Sequence, residues 1–139
     1  MARTVEEIMT RQPATVGQRD SVAQAARLMK DNDTGDVAVV EDGHVVGIIT
    51  DRDITVRVVA TDRPTSTTVA DVASKGEVAT ISPRATLTQA ASVMRDKAVR
   101  RLPVVEDGRL LGMISLGDLA IERDPESGLA DISAAESNE

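Results

Sequence analysis

The 139-residue chain has room for one compact domain or two small half-domains, and none for a separate catalytic domain. Its 41% apolar and 28% charged residues suit a folded globule, and with no membrane-length apolar run and no apolar signal core at the start, the reading is a cytoplasmic protein. The absence of Cys and the single His44 exclude disulfides and Cys/His zinc chemistry, the absence of aromatic rings disfavours base-stacking nucleic-acid readers, and most of the −7 net charge lies beyond residue 121.

In chain order, a short segment containing Ile8 comes first, followed by the β-prone run Ala14-Thr15-Val16. Ser21 with Gln24 forms a capping box, and Val22, Ala25, Ala26 and Met29 follow it at i, i+3, i+4 and i+7, which predicts an amphipathic helix. Residues 37–40 and 45–49 are two strands joined by a tight turn at Asp42-Gly43, a pair suited to positive φ. A helix is predicted from about residue 51 to 60, and residues 61–68, with Pro64 and several Thr and Ser, read as a linker.

The pattern then returns. Residues 14–54 align with 79–119 at a constant offset of 65, with 16 of 41 positions identical, and the leading segment returns around Val72 at an offset of 64. Copy two has the strand Ala79-Thr80-Ile81, the capping box Thr86/Gln89, the buried face Leu87, Ala90, Ala91 and Met94, the hairpin 102–105 and 110–114, and a helix over 116–123. The expected organisation is repeat 1 over 1–60, the linker 61–68, repeat 2 over 69–123 and an acidic, disordered tail over 124–139. The fold class is α/β (α+β): two β-α-β-β-α repeats, each too small to bury its own sheet, packed sheet to sheet with pseudo-twofold symmetry.

This order of elements resembles tandem CBS domains, the pair called a Bateman module. The likeness is carried by the run Pro-Val-Val-Glu-Asp-Gly-Arg-Leu-Leu-Gly-Met-Ile-Ser from Pro103 and by Gly47-Ile48-Ile49-Thr50-Asp51-Arg52-Asp53. The resemblance implies a stand-alone regulatory module that binds adenosine compounds (AMP, ADP, ATP or S-adenosylmethionine) in clefts between the repeats and signals to a partner protein. It implies no cofactor, with magnesium entering only with ATP. The family pattern of Gly, two apolar residues, Thr or Ser, two variable residues and Asp falls on Gly47, Thr50 and Asp53 and on Gly112, Ser115 and Asp118. A carboxylate there can accept from both cis hydroxyls of a ribose, while the hydroxyl and the helix-start N–H groups face a phosphate. The resemblance also assigns base-pocket walls to Thr15, Val16 and Val37 and to Thr80, Ile81 and Leu102, and phosphate contacts to Arg100 and Arg101. Copy one has Gly35 and Asp36 where copy two has that Arg pair, so the two clefts should differ.

Each motif has a plainer reading. Thr50-x-x-Asp53 and Ser115-x-x-Asp118 are also ordinary capping boxes, and both roles can coexist. His44 reads as an exposed turn residue, Asp51, Asp53 and Asp62 lack calcium-loop spacing, and Met29 and Met94 read as core. No nucleophile–base pair can be named, so an enzyme is not expected. The alternative to a sensor is a ligand-free interaction or stress-response scaffold. The apolar residues Ile54, Val56, Val58 and Val59 of the helix after the first hairpin lead to the expectation of a homodimer. No membrane association is expected, and nucleic-acid binding is disfavoured for want of a basic stripe.

Overall fold

The structure, a computed structural model, describes residues 3–74 and 78–123. The acidic tail over 124–139 lies outside the described residues. Along the chain run α1 (Val5–Ile8), β1 (Thr10–Arg11), β2 (Thr15–Gly17), α2 (Val22–Asp31), β3 (Asp36–Glu41), β4 (His44–Thr50) and α3 (Asp51–Ile54). A π-helical stretch (Thr55–Val59) and a 3-10 turn (Val69–Asp71) follow, then α4 (Leu87–Lys97), β5 (Arg101–Glu106), β6 (Arg109–Ser115) and α5 (Leu116–Arg123).

These elements form two compact units whose borders are not those of the repeats. The first unit is Pro13–Val78; the second joins the chain through Gln12 to the chain from Ala79 onward. Each leading segment is thus built into the unit of the other copy. The cause is apolar burial: Val5 and Met9 lie in one core with Ile81, Leu87, Met94, Leu102 and Ile114, while Val69, Val72 and Ala73 lie in the other with Val16, Val22, Met29 and Ile49. The 61–68 segment is exposed through residue 66 and is tied to the first unit by hydrogen bonds. Thr67 is buried, and the carbonyls of Thr67 and Thr65 accept from the first-turn N–H groups of Val22 and Ala23 at 2.8 and 3.2 Å, covering donors that α2 cannot satisfy itself.

Within the first unit β2 runs parallel to β3, with α2 as the crossover, and β3 pairs antiparallel with β4. The predicted capping box is present: the N–H of Gln24 donates to Ser21 Oγ at 3.2 Å, and the N–H of Ser21 to Gln24 Oε1 at 2.8 Å. The hairpin turn places Asp42 and Gly43 at φ of 52° and 81°, the paired positive values that a twisted two-residue turn demands. The predicted helix over 51–60 begins as one α turn and continues as a π-helix, closed by Ala60 N–H to Thr55 O at 2.9 Å. Its run of β-branched residues, Thr55, Val56, Val58 and Val59, is poorly suited to a regular α-helix. Val58 is buried, whereas Val56 and Val59 stay 45% and 65% exposed.

The second unit repeats this plan, with α4 capped by Thr86 and Gln89 and with β5 antiparallel to β6. Here the predicted first strand shrinks to a single parallel bridge, Ile81 to Val104, where the first unit pairs three residues. Pro83 and Pro103 stand where copy one has Gln18 and Ala38. Those are the two N–H donors that would extend the ladder on either side of the central pair, and proline has none. On the other edge, β1 pairs antiparallel with β6, Thr10 opposite Met113 and Arg11 opposite Gly112.

Candidate functional site

The two copies of the Gly-apolar-apolar-Thr/Ser-x-x-Asp motif occupy the same place in their units: the end of the second hairpin strand and the first turn of the helix that follows. In the first unit the N–H of Asp53 donates to Thr50 Oγ1 at 3.0 Å, and the N–H of Thr50 to Asp53 Oδ2 at 2.9 Å. In the second, Asp118 N–H donates to Ser115 Oγ at 3.1 Å, and Ser115 N–H to Asp118 Oδ2 at 2.9 Å. Both boxes are therefore real caps. Neither uses up its carboxylate. Asp53 is only 9% exposed, yet its Oδ1 takes no hydrogen bond from a described residue and is not sealed from solvent. Asp118 is half-buried, again with Oδ1 unengaged by the described residues.

A backbone clamp fixes each motif against the start of its first hairpin strand. Asp51 N–H donates to the Gly35 carbonyl at 2.9 Å, and Leu116 N–H to the Arg100 carbonyl at 2.8 Å. Across the ladder, Asp36 stands opposite Thr50 and Arg101 opposite Ser115. The Arg pair of copy two is thus beside its motif, with Arg100 exposed and Arg101 half-buried. Arg52, the base inside the first motif, is exposed, and so is His44.

The motif glycines have a packing role that the pattern alone does not reveal. A Cβ on Gly47 would lie 2.8 Å from the carbonyl oxygen of Ser74, and one on Gly112 would lie 2.6 Å from Met9 Sδ and 2.7 Å from the Thr10 carbonyl oxygen. In both units the exchanged leading segment crosses the strand where the glycine stands. The residue next to each motif in space is therefore far from it in sequence, which is why inspection of the repeat missed it.

The expected base-pocket walls fare differently. Thr15 and Thr80 are exposed, but Val16, Val37, Ile81 and Leu102 are only 3%, 1%, 7% and 0% exposed and belong to the cores. Val16, Val37 and Leu102 hold the fold rather than present a surface, and Ile81 is largely core. Alternation along β3 and β5 turns Val37 and Leu102 inward with Val39 and Val104, and β2 does the same for Val16. Thr80 and Ile81 line an open groove of about 690 Å³ with Arg84, Gln89 and Ser92, which Ser115 and Asp118 do not line. Among the described residues no cluster of His, Cys, Asp or Glu could hold a metal ion, and no helix is long and apolar enough to cross a membrane.

Comparison with known proteins agrees with this architecture. The CBS domain model matches residues 5–60 and 69–123. The chain is 39% identical over 120 residues to the CBS domain-containing protein YhcV of Bacillus subtilis (strain 168), covering 86% of this chain and 85% of that protein. The CBS domain pair of protein MJ0100, solved in complex with methylthioadenosine and S-adenosyl-L-methionine, shares the fold with a TM-score of 0.81 at 22% identity, over 91% of this chain and all of that one. CBSX2, solved in complex with AMP, does so with a TM-score of 0.73 at 24% identity, over 86% and 95% of the two chains. The chain belongs to the CBS domain family and carries two such domains in tandem.

Proposed function

We propose that the protein is a non-catalytic regulatory module that binds adenosine-containing ligands through Thr50 and Asp53 in one unit and Ser115 and Asp118 in the other, and signals their presence to a partner protein. The observation that carries this reading is the spare oxygen. Each capping box spends one carboxylate oxygen on its own helix and leaves the second, Oδ1, unpaired by the described residues and not fully sealed from solvent, so that a ribose hydroxyl could donate to it. Two CBS pairs of the same fold hold AMP in one case and S-adenosyl-L-methionine with methylthioadenosine in the other, which supports adenosine as the shared element. Any signal is bounded by the ligand's differential affinity for the two conformations it distinguishes.

The test is equilibrium dialysis against AMP, ADP, ATP and S-adenosylmethionine, read by adenine absorbance, which the chain's lack of Trp, Tyr and Phe leaves unobscured. Binding that falls on Asp118→Ala or Asp53→Ala supports the reading. For phosphorylated ligands the loss is larger for Asp118, beside the Arg pair. Bound nucleotide at about 100 times its Kd also adds about 2.7 kcal/mol of stability, visible as a higher Tm. A second reading, a ligand-free scaffold, is favoured by the burial of Val37 and Leu102, which leaves little open wall for a base. It prevails when dialysis at millimolar ligand shows no excess adenine on the protein side.

A further inference from the structure

The second unit has a strand edge whose counterpart in the first unit is capped, and we infer that the chain's own C-terminal segment, residues 124–139, pairs along it as an added strand with Ile132 in the groove beside it. In both copies the first strand ends in the same tight turn: Asp20 N–H donates to the Gly17 carbonyl at 3.2 Å, and Ala85 N–H to the Ser82 carbonyl at 3.1 Å. The turns differ in one side chain. Asp20 Oδ2 accepts from Gly17 N–H at 2.8 Å and so covers a donor on that edge. Ala85 stands in the place of Asp20 and has nothing to offer Ser82 N–H. Ile81 spends both its backbone groups on β5, donating to the Pro103 carbonyl at 3.0 Å and accepting from Val105 N–H at 2.9 Å. Alternation therefore turns Ser82 N–H and both backbone groups of Thr80 to the opposite side, where no described residue pairs with them. An edge of this kind is a template for another strand.

Thr80 and Ser82 also line the open groove of about 690 Å³, together with Ala85 and with Thr88, Ser92 and Val93 of α4. A strand edge flanked by a helix suits an extended peptide, whose main chain pairs with the edge while alternate side chains enter the groove. The path of the chain points to residues 124–139 as the occupant. Glu122, near the end of α5, pairs through its carboxylate with Arg3. The Arg3 carbonyl accepts from Leu87 N–H at 3.3 Å, and Val5 N–H donates to the Ala85 carbonyl at 2.8 Å, so the chain leaves α5 close to the residues that open the groove. The 16 residues that follow reach about 50 Å when extended, and a five-residue strand needs about 17 Å. Among them Ala130-Asp131-Ile132-Ser133-Ala134 alternates apolar and polar, the pattern of a half-buried strand. That register turns Ala130, Ile132 and Ala134 to the groove and Asp131 and Ser133 to water.

The experiment uses nuclear magnetic resonance on the full chain, with circular dichroism confirming that each variant is folded. A nitroxide on Ser133→Cys, the sole thiol in the molecule, is expected to broaden the amides of Ser82, Thr88 and Ser92, and to do so equally after dilution into unlabelled protein. Ile132→Asp is expected to abolish that broadening and to speed exchange of the Ser82 amide about fivefold or more, leaving the Ile81 amide unchanged. Ala85→Asp, which installs the side chain that copy one already has, is expected to abolish the broadening while keeping Ser82 protected. Broadening that stays away from Ser82 and α4, or Ser82 exchange unaltered by Ile132→Asp, overturns the inference. Broadening lost on dilution assigns the edge to a second copy and overturns it as well.

Discussion

Replacing Gly112 by Ala tests whether the leading segment is a structural part of the second unit. The new methyl group would stand 2.6 Å from Met9 Sδ and 2.7 Å from the Thr10 carbonyl oxygen, both well inside van der Waals separation. Met9 can swing its thioether aside. The Thr10 carbonyl is held by the pairing of β1 with β6 and cannot retreat without loosening it. If the segment stays and shifts, the cost is that of overpacking, about 1–3 kcal/mol. If it detaches, the burial of Val5 and Met9 is lost, about 1.5–3 kcal/mol for each, along with the 2.8 Å bond from Val5 N–H to the Ala85 carbonyl. The shift is the cheaper response, so we expect a loss of about 2 kcal/mol, or about 8 °C in Tm for a domain of this size. Urea unfolding followed by far-ultraviolet circular dichroism measures it, since the chain has no Trp or Tyr for fluorescence. Met9→Ala should cost less in the Gly112→Ala background than in the wild type, with a coupling of about 1 kcal/mol, because part of the thioether has already been displaced. A Gly112→Ala protein within about 0.5 kcal/mol of the wild type, the range of an ordinary surface substitution, would refute the reasoning.

Thr86→Ala removes the 3.2 Å cap on Gln89 N–H and should destabilise the protein by about 1 kcal/mol, measured by the same unfolding assay; a change below about 0.3 kcal/mol would mean that the cap is dispensable. The backbone N–H and side-chain hydroxyl of Thr4, aided by Arg3, hold the exposed Glu7 carboxyl below the usual glutamate range. The lowered value in the folded state means that Glu7 supports folding fully above the ordinary glutamate range and loses that contribution as pH falls through its own titration. Carbon NMR should place the Glu7 midpoint below that of a free glutamate, and a midpoint at or above it contradicts the cap. We further propose that the exposed Val56 and Val59 are covered by a second copy, so sedimentation should give twice the 14.7 kDa monomer mass and Val59→Lys should lower it; a monomeric wild type at micromolar concentration ends that proposal.

Local signals carried the fold well because the repeat stated each of them twice. Capping boxes, the Asp-Gly turns and the helical spacing of Val22, Ala25 and Met29 are all short-range features, and the structure has them where the sequence indicates, although Ala26, the fourth residue of that predicted face, is exposed. What was illegible depends on distance or on small chemical differences. Val5 and Val69 read as heads of their own copies, and only the packed cores reveal that each belongs to the other. The missing ladder of copy two follows from Pro83 and Pro103, visible in the sequence but interpretable only once the parallel register is known. At the candidate site, the capping boxes of Thr50 with Asp53 and of Ser115 with Asp118 were legible, whereas the inward turn of Val16, Val37, Ile81 and Leu102 was not, since an apolar strand residue reads alike as pocket wall and as core.

The exchange of leading segments also bears on how such a chain could arise. A single ancestral repeat, expressed alone, would carry a Val5-like head with no core of its own to enter and a core lacking the Val69-like head that completes it. Two such molecules trading heads satisfy both needs, which is domain swapping between identical subunits. One chain that carries both repeats, joined through 61–68, meets both needs without a second molecule. Within one chain the exchange does not depend on protein concentration, and the two copies need not be identical: position 35 is Gly where position 100 is Arg.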